Sequence, residues 1–243
     1  MRQGNALTAA VDRALYVGEL AATGWHRHAA PVLLLGLSGR FSLHWGGGTA
    51  ECASALVDSR VEHVFDPRGE SVALVYLEPD APEARGLRRL LVGAGGVLLD
   101  PALPVRTCSG TQSRLAAFDL GSLLRFSVPV GPALDPRIAA SLKVLRAPAW
   151  SPLRRTEAAA AAGLSASRFN HLFSAQMGVS FRSYRVWSQL RAAMLACGPG
   201  ASLTAAAQEG AFFDAAHFSR VFGQTFGMSP SSVLKPLRTV RLL

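Results

Sequence analysis

Apolar residues follow two rhythms along the 243-residue chain. Before about residue 100 they fall in short runs, Ala14–Leu20, Val32–Leu37, Arg40–Trp45, Ala53–Val57 and Ser71–Leu77, each a strand candidate. Turn-formers separate these runs: Ser38-Gly39, Gly46-Gly47-Gly48, Asp66-Pro67-Arg68-Gly69 and Pro79-Asp80. Such strands predict a small antiparallel β-sandwich or barrel, an architecture able to enclose one small ligand. From about residue 135 the period becomes helical. Asp135-Pro136 opens a helix running to about Arg146, Leu153–Ala162 reads as a second, Phe181–Cys197 as a longer one and Ser202–Glu209 as a short one.

Two more helical segments in this half are copies of each other. Residues 167–180 read SRFNHLFSAQMGVS and residues 216–229 read AHFSRVFGQTFGMS. At an offset of 49, Phe169 matches Phe218, Leu172 matches Val221, Phe173 matches Phe222, Met177 matches Phe226 and Gly178 matches Gly227. The shared apolar positions make one helix face, with Ser165 or Asp214 as the start cap and glycine as the stop. The other faces carry Arg168, Asn170 and His171, and His217, Ser219 and Arg220, side chains that read base edges and phosphates. Each copy follows a short helix and a turn, Gly163-Leu164-Ser165 or Gly210–Phe213, which is a helix-turn-helix. The segment joining the two units would be a rod on the order of 24 Å long. A rod can hold two reading helices near the ~34 Å at which the major groove recurs on one side of B-DNA.

Charge points the same way. The chain is +9 overall, yet Lys/Arg and Asp/Glu balance at 12 each before residue 135 and stand at 13 against 4 from there on. A basic domain behind a neutral one implies a polyanionic partner. Between them, Ala81–Val92 and Gln112–Leu124 read as helices and Gly93–Gly110 as irregular. These flanking helices could form the seam of a homodimer or simply pack on the barrel. Cys52, Cys108 and Cys197 are isolated and form no CxxC pair, so neither a zinc knuckle nor a disulfide framework is expected. No apolar run approaches about 18 residues, and Met1 to Ala10 lacks a signal-peptide core. A cytoplasmic protein with no membrane partner is expected.

One polar feature marks the neutral half: Trp25-His26-Arg27-His28, with His63 following later. On an extended segment His26 and His28 share a face and Arg27 takes the other. This looks like the cupin pattern, in which an HxH and a later histidine line the barrel mouth; the acidic residue that follows the HxH in metal-binding cupins is missing, its region being Val32, Leu33 and Leu34. Three readings of His26, His28 and His63 stay open: a metal site, the lining of a pocket for an organic effector, or a hydrogen-bonded histidine cluster. No nucleophile elbow, phosphate loop or paired carboxylate constellation is visible, so no catalytic residue, no cofactor and no enzymatic activity are expected.

Residues about 135 to 236 resemble the DNA-binding domain of the AraC/XylS family of bacterial transcription regulators. The resemblance rests on Ala162 to Ser165, Phe169 to Gly178, Tyr184 with Trp187, Phe212 to Phe222, and Phe226 to Pro230. It implies a multi-domain α and β protein: residues 1–100 a cupin-like effector-binding barrel with flanking helices, 101–134 a helical linker, and 135–243 an all-α tandem helix-turn-helix domain. By position, it places base-facing residues at Ser167, Asn170 and His171 in the first unit and at Ala215, Ala216, Ser219 and Arg220 in the second. Arg155, Arg168, Arg182, Arg185 and His217 are the expected phosphate contacts. Ala215 and Ala216 can offer only apolar contact with a thymine methyl, so the second half-site should be read mostly through Arg220. Ser188 and Gln189 stand where relatives carry basic or apolar residues, which should thin the phosphate contacts of the connector. The implied partners are promoter DNA, a small-molecule effector and RNA polymerase. The alternative is a cupin-type metalloenzyme with a tethered DNA-binding domain.

Overall fold

The apolar runs of the first hundred residues fold as strands because each is bounded by residues that turn the chain. The computed structural model describes residues 5–102, 119–146, 154–197 and 201–243. Its strands are β1 (Asn5–Ala9), β2 (Arg13–Glu19), β3 (Val32–Gly36), β4 (Phe41–Trp45), β5 (Gly48–Cys52), β6 (Ser54–Val57), β7 (His63–Asp66), β8 (Ser71–Leu77), β9 (Val97–Leu99) and β10 (Leu237–Leu242). They make a larger sheet in the order β10-β1-β2-β8-β3-β6-β9 and a smaller one in the order β5-β4-β7. Together these form the barrel expected of the first hundred residues.

The larger sheet is buried on both faces, which is why β3 is a continuous apolar run rather than an alternating one. One face, with Leu7, Leu34 and Leu74, looks into the barrel, where Phe41 and Phe65 meet it from the smaller sheet. The other face, with Leu33, Leu35, Val75 and Leu77, is covered by α1 (Pro82–Gly93) through Leu87 and Leu91 and by α2 (Leu120–Leu123). The helix expected over Gln112–Leu124 is seen only in its last turn, capped by Asp119, whose side chain accepts from the Gly121 N–H; residues 112–118 and Cys108 lie outside the described residues. The remaining cysteines, Cys52 and Cys197, are buried free thiols.

The second half is helical: α3 (Pro136–Leu145), α4 (Arg155–Ala161), α5 (Ala166–Met177), α6 (Phe181–Ala196), α7 (Leu203–Glu209), α8 (Ala215–Phe226) and α9 (Pro230–Leu234). No helix among the described residues is long and apolar enough to cross a membrane. One correction concerns the boundary expected to run to residue 243. The last segment leaves the helices and pairs in parallel with β1, Leu7 opposite Val240 and Ala9 opposite Leu242. Leu237 and Val240 supply the apolar side that the sheet edge needs. The barrel interior and the helical half share one continuous apolar core, from Leu7 and Leu34 through Trp187 to Phe222 and Phe226.

Candidate nucleic-acid interface and interdomain cavity

Both duplicated segments become 12-residue helices, α5 and α8. The Ser165 hydroxyl accepts from the Arg168 N–H and the Asp214 carboxylate from the His217 N–H, satisfying donors that helix geometry leaves open. At the far ends Gly178 and Gly227 adopt φ of 73° and 70°, the left-handed stop that glycine takes without strain. Phe169, Phe173 and Met177 anchor α5, and Phe218, Phe222 and Phe226 anchor α8, all buried. The two turns differ. Gly163 takes the positive φ in the first, whereas Ala211 takes it at 49° in the second. The second turn is also one residue longer, and its extra residue, Phe213, stands 92% exposed.

Burying one face leaves the other outward. Ser167, His171, Ala216 and Arg220 are exposed, and Asn170, Ala215 and Ser219 are half-buried at the edge of the same faces. Ser219 donates its hydroxyl to the Ala215 carbonyl at 2.7 Å, so only its lone pairs are free to meet a base. Among the expected phosphate contacts, Arg155, Arg168 and Arg182 are exposed. Arg185 is half-buried, and its Nε is enclosed without a hydrogen-bond partner. His217 packs its ring on Phe212 at 5.5 Å and its Nδ1 accepts from the Phe213 N–H at 3.4 Å, which makes it a support of the turn. Arg137, from α3, joins Ser167, Arg168 and His171 along one groove, a basic contribution that spacing alone did not single out.

The connector α6 is a 16-residue helix. Gln189 does not face solvent. It is buried, and its amide donates to the Gly210 and Ala211 carbonyls at 3.2 and 3.1 Å, fastening the connector to the turn of the second unit.

The same connector closes the barrel. Trp187 Nε1 donates to the buried carboxylate of Glu78, at the end of β8, at 3.1 Å to each oxygen. Arg191 Nε lies 3.1 Å from Glu78 Oε1 as an ion pair, and Arg191 also donates to the Ala10 carbonyl. Burial raises the Glu78 carboxyl above its ordinary range, against the opposing pull of Arg191 and the Trp187 hydrogen bond. Elsewhere along the seam, Arg146 pairs with Asp80 at 2.6 Å and Gly24 N–H donates to the Gly227 carbonyl at 2.7 Å.

Between the barrel and these helices lies a cavity of about 60 Å³, several times the ~10–15 Å³ of such space that one water occupies. Leu34, Leu74 and Tyr76 line it from the barrel, and Trp187, Phe222 and Phe226 from the helical half. His26 and His63 stand at its edge. The segment carrying His26 is not a full strand but a single bridge, His26 to His63; even so, the expected alternation holds, with His26 and His28 buried and Arg27 exposed. The ring centroids lie 4.2 Å apart for His26–His63, 5.3 Å for His28–His63 and 5.8 Å for His26–His28. Desolvation drives the imidazole of His63 down to about 4, that of His28 well below the ordinary range and that of His26 in the same direction. The cluster is therefore neutral at pH 7.

Residues 158–236 match the family model described as a helix-turn-helix domain. No curated protein matches the chain. Among solved structures, the chain is similar to ToxT from Vibrio cholerae, at 14% identity and a TM-score of 0.57 over 93% of this chain and 99% of that one. It is also similar to unsaturated fatty acid-bound ToxT of the same organism, at 14% identity and a TM-score of 0.54 over 98% of each chain. A third similar structure is ToxT bound to (E)-4-(8-methylnaphthalen-1-yl)but-3-enoic acid, at 13% identity and a TM-score of 0.55 over 96% and 98%. At such identities the likeness gives the architecture, a barrel ahead of a helical half.

Proposed function

We infer that the protein is a sequence-specific, DNA-binding transcription regulator of the AraC/XylS type, a reading supported by the match of residues 158–236 to a helix-turn-helix domain. The observation that carries this reading is the pair of capped helices, α5 and α8, with outward polar faces on either side of a stiff connector. Asn170 suits bidentate pairing with adenine and Arg220 with guanine, while Ser167 and His171 add donors beside Asn170. Ala215 and Ala216 offer thymine methyl contacts, and Ser219 contributes acceptor lone pairs. Arg155, Arg168, Arg182 and His217 contact phosphates, with Arg137 beside them; Arg185 contributes only through the end of its guanidinium. Selection of bound fragments from random DNA tests the reading. It should return sites with two conserved blocks about one helical turn apart, and unselective recovery would refute it.

The barrel's part in this reading is to sense a small molecule in the interdomain cavity. Support comes from the lining, apolar and drawn from both halves, so an occupant touches the barrel and the DNA-binding helices together. The ToxT structures with a fatty acid and with a naphthalenyl butenoic acid suggest an effector with a large apolar body. At about 60 Å³ the cavity is too small for such a body unless α6 and α8 shift. Effector binding would thereby bear directly on the spacing of the two reading helices. A homodimer, through the face of α1 that exposes Leu90 and Val92, and contact with RNA polymerase belong to the same reading of a promoter-bound regulator.

A further inference from the structure

The turn ahead of α8 carries a residue that the turn ahead of α5 lacks. In the first unit only Leu164 separates Gly163, with its positive φ, from the cap Ser165, and Leu164 is half-buried against the core. In the second, Phe212 and Phe213 both stand between Ala211 and the cap Asp214. Phe212 turns inward onto Phe218, ring centroids 5.3 Å apart, and supplies the packing. Phe213 is left almost wholly in solvent. Single exposed apolar side chains are common, but this one rises from a backbone that is held throughout. The Phe213 N–H donates to His217 Nδ1 at 3.4 Å, the Phe212 N–H to the Ala207 carbonyl at 2.8 Å and the Ala211 N–H to the Gln208 carbonyl at 2.9 Å. The Gly210 and Ala211 carbonyls accept from the Gln189 amide. A ring presented from a fixed backbone loses little freedom when a partner covers it.

The place of Phe213 selects the partner. It immediately precedes the cap of α8, at the end that a recognition helix turns toward base edges. The next outward positions are Ala215 and Ala216, too short to hold the helix off the groove floor, and Arg220 follows one turn on. Between them the Asp214 carboxylate, which would repel phosphates, is occupied in accepting from the His217 N–H at 2.6 Å. The leading end of α8 is therefore an apolar surface of Phe213, Ala215 and Ala216 with one cation behind it. The apolar group that a major groove offers is the thymine methyl. We propose that Phe213 is a specificity-determining residue that packs on thymine methyl groups in the major groove, so that the second half-site is a thymine-bearing block beside the guanine met by Arg220. The proposal rests on the DNA-binding reading and gives the second unit a base contact that its alanines and Arg220 do not supply.

The test uses full-length protein and the duplex recovered by selection, the second block being the one that Arg220→Ala weakens. Deoxyuridine replaces the thymines of that block one at a time, which removes only the methyl group. With wild-type protein, at least one replacement should lower affinity about fivefold or more, the lower end of what a single altered base pair costs. Phe213→Ala should bind the thymine duplex about as weakly and be nearly indifferent to that same replacement. Phe213→Leu, still apolar, should keep most of the affinity and the methyl preference. Replacements in the first block should affect all three proteins alike, and their thermal unfolding should coincide, because residue 213 packs against nothing that holds the fold. Wild-type affinity in Phe213→Ala, the outcome if the ring docks on a protein partner instead, overturns the proposal. So does a weakened Phe213→Ala whose response to deoxyuridine equals that of the wild type, which would assign the ring to the shape of the turn. A second block without thymine overturns it as well. Failure of the wild-type protein to select any duplex defeats the DNA-binding reading itself, and this inference with it.

Discussion

Asn170 is the residue on which base reading leans most, since it sits beside exposed His171 on a helix whose opposite face is locked by three buried side chains. Asn170→Ala should weaken binding to the selected site by about 1–3 kcal/mol and leave random DNA unaffected, as titration of both by fluorescence anisotropy will tell. An equal loss on both sequences would remove Asn170 from the reading set. At Ala211 the chain asks a non-glycine residue for φ of 49°. Ala211→Gly should raise stability by roughly 0.5–1 kcal/mol in urea unfolding, because a left-handed alanine is strained. Most outward-facing residues were legible in the sequence, since helical periodicity separates Phe169, Phe173 and Met177 from Asn170 and His171. The hydrogen bonds of Gln189 and Ser219 were not. Their partners, the Gly210 and Ala211 carbonyls and the Ala215 carbonyl, are backbone groups whose positions depend on the fold.

At the scale of the element, the two glycine stops provide an internal comparison. Both Gly178 and Gly227 have positive φ, yet their surroundings differ. A Cβ on Gly178 would meet the movable end of Arg88, whereas one on Gly227 would lie 2.5 Å from the Gly24 carbonyl oxygen. Gly178→Ala should therefore cost about 1 kcal/mol, the backbone strain alone. Gly227→Ala should cost clearly more in the same thermal unfolding series, since it also forces the barrel loop away; equal costs would mean that the loop yields freely. Strands were legible where they are long or wholly apolar, as β2, β3 and β8 are. The exposed β5 starts inside the Gly46-Gly47-Gly48 segment that read as a turn, and β9 is only three residues. β10 pairs with a strand more than two hundred positions away, a relation that no local period carries.

Taken as a whole, the molecule is built so that its barrel and its helical half share one core, and the Glu78 cluster is the most exacting part of the seam. Glu78→Ala would leave the Trp187 N–H without its buried acceptor and the Arg191 guanidinium without its buried counter-ion. A loss of about 3 kcal/mol or more in urea unfolding is expected, and a value near zero would mean that water replaces the carboxylate without penalty. The two-part division was legible from the change of period and the one-sided charge; the shared core was not, because Trp187 and Phe226 read equally well as packing within the helical half. The central claim is that α5 and α8 enter successive major grooves from one side of the duplex. Methylation protection of guanine N7 on a selected site, with Arg220→Ala compared to the wild-type protein, tests it most directly. Two protected blocks about 10 base pairs apart, with only the second weakened by Arg220→Ala, are the predicted result. A single protected block, or the loss of both together, would contradict it.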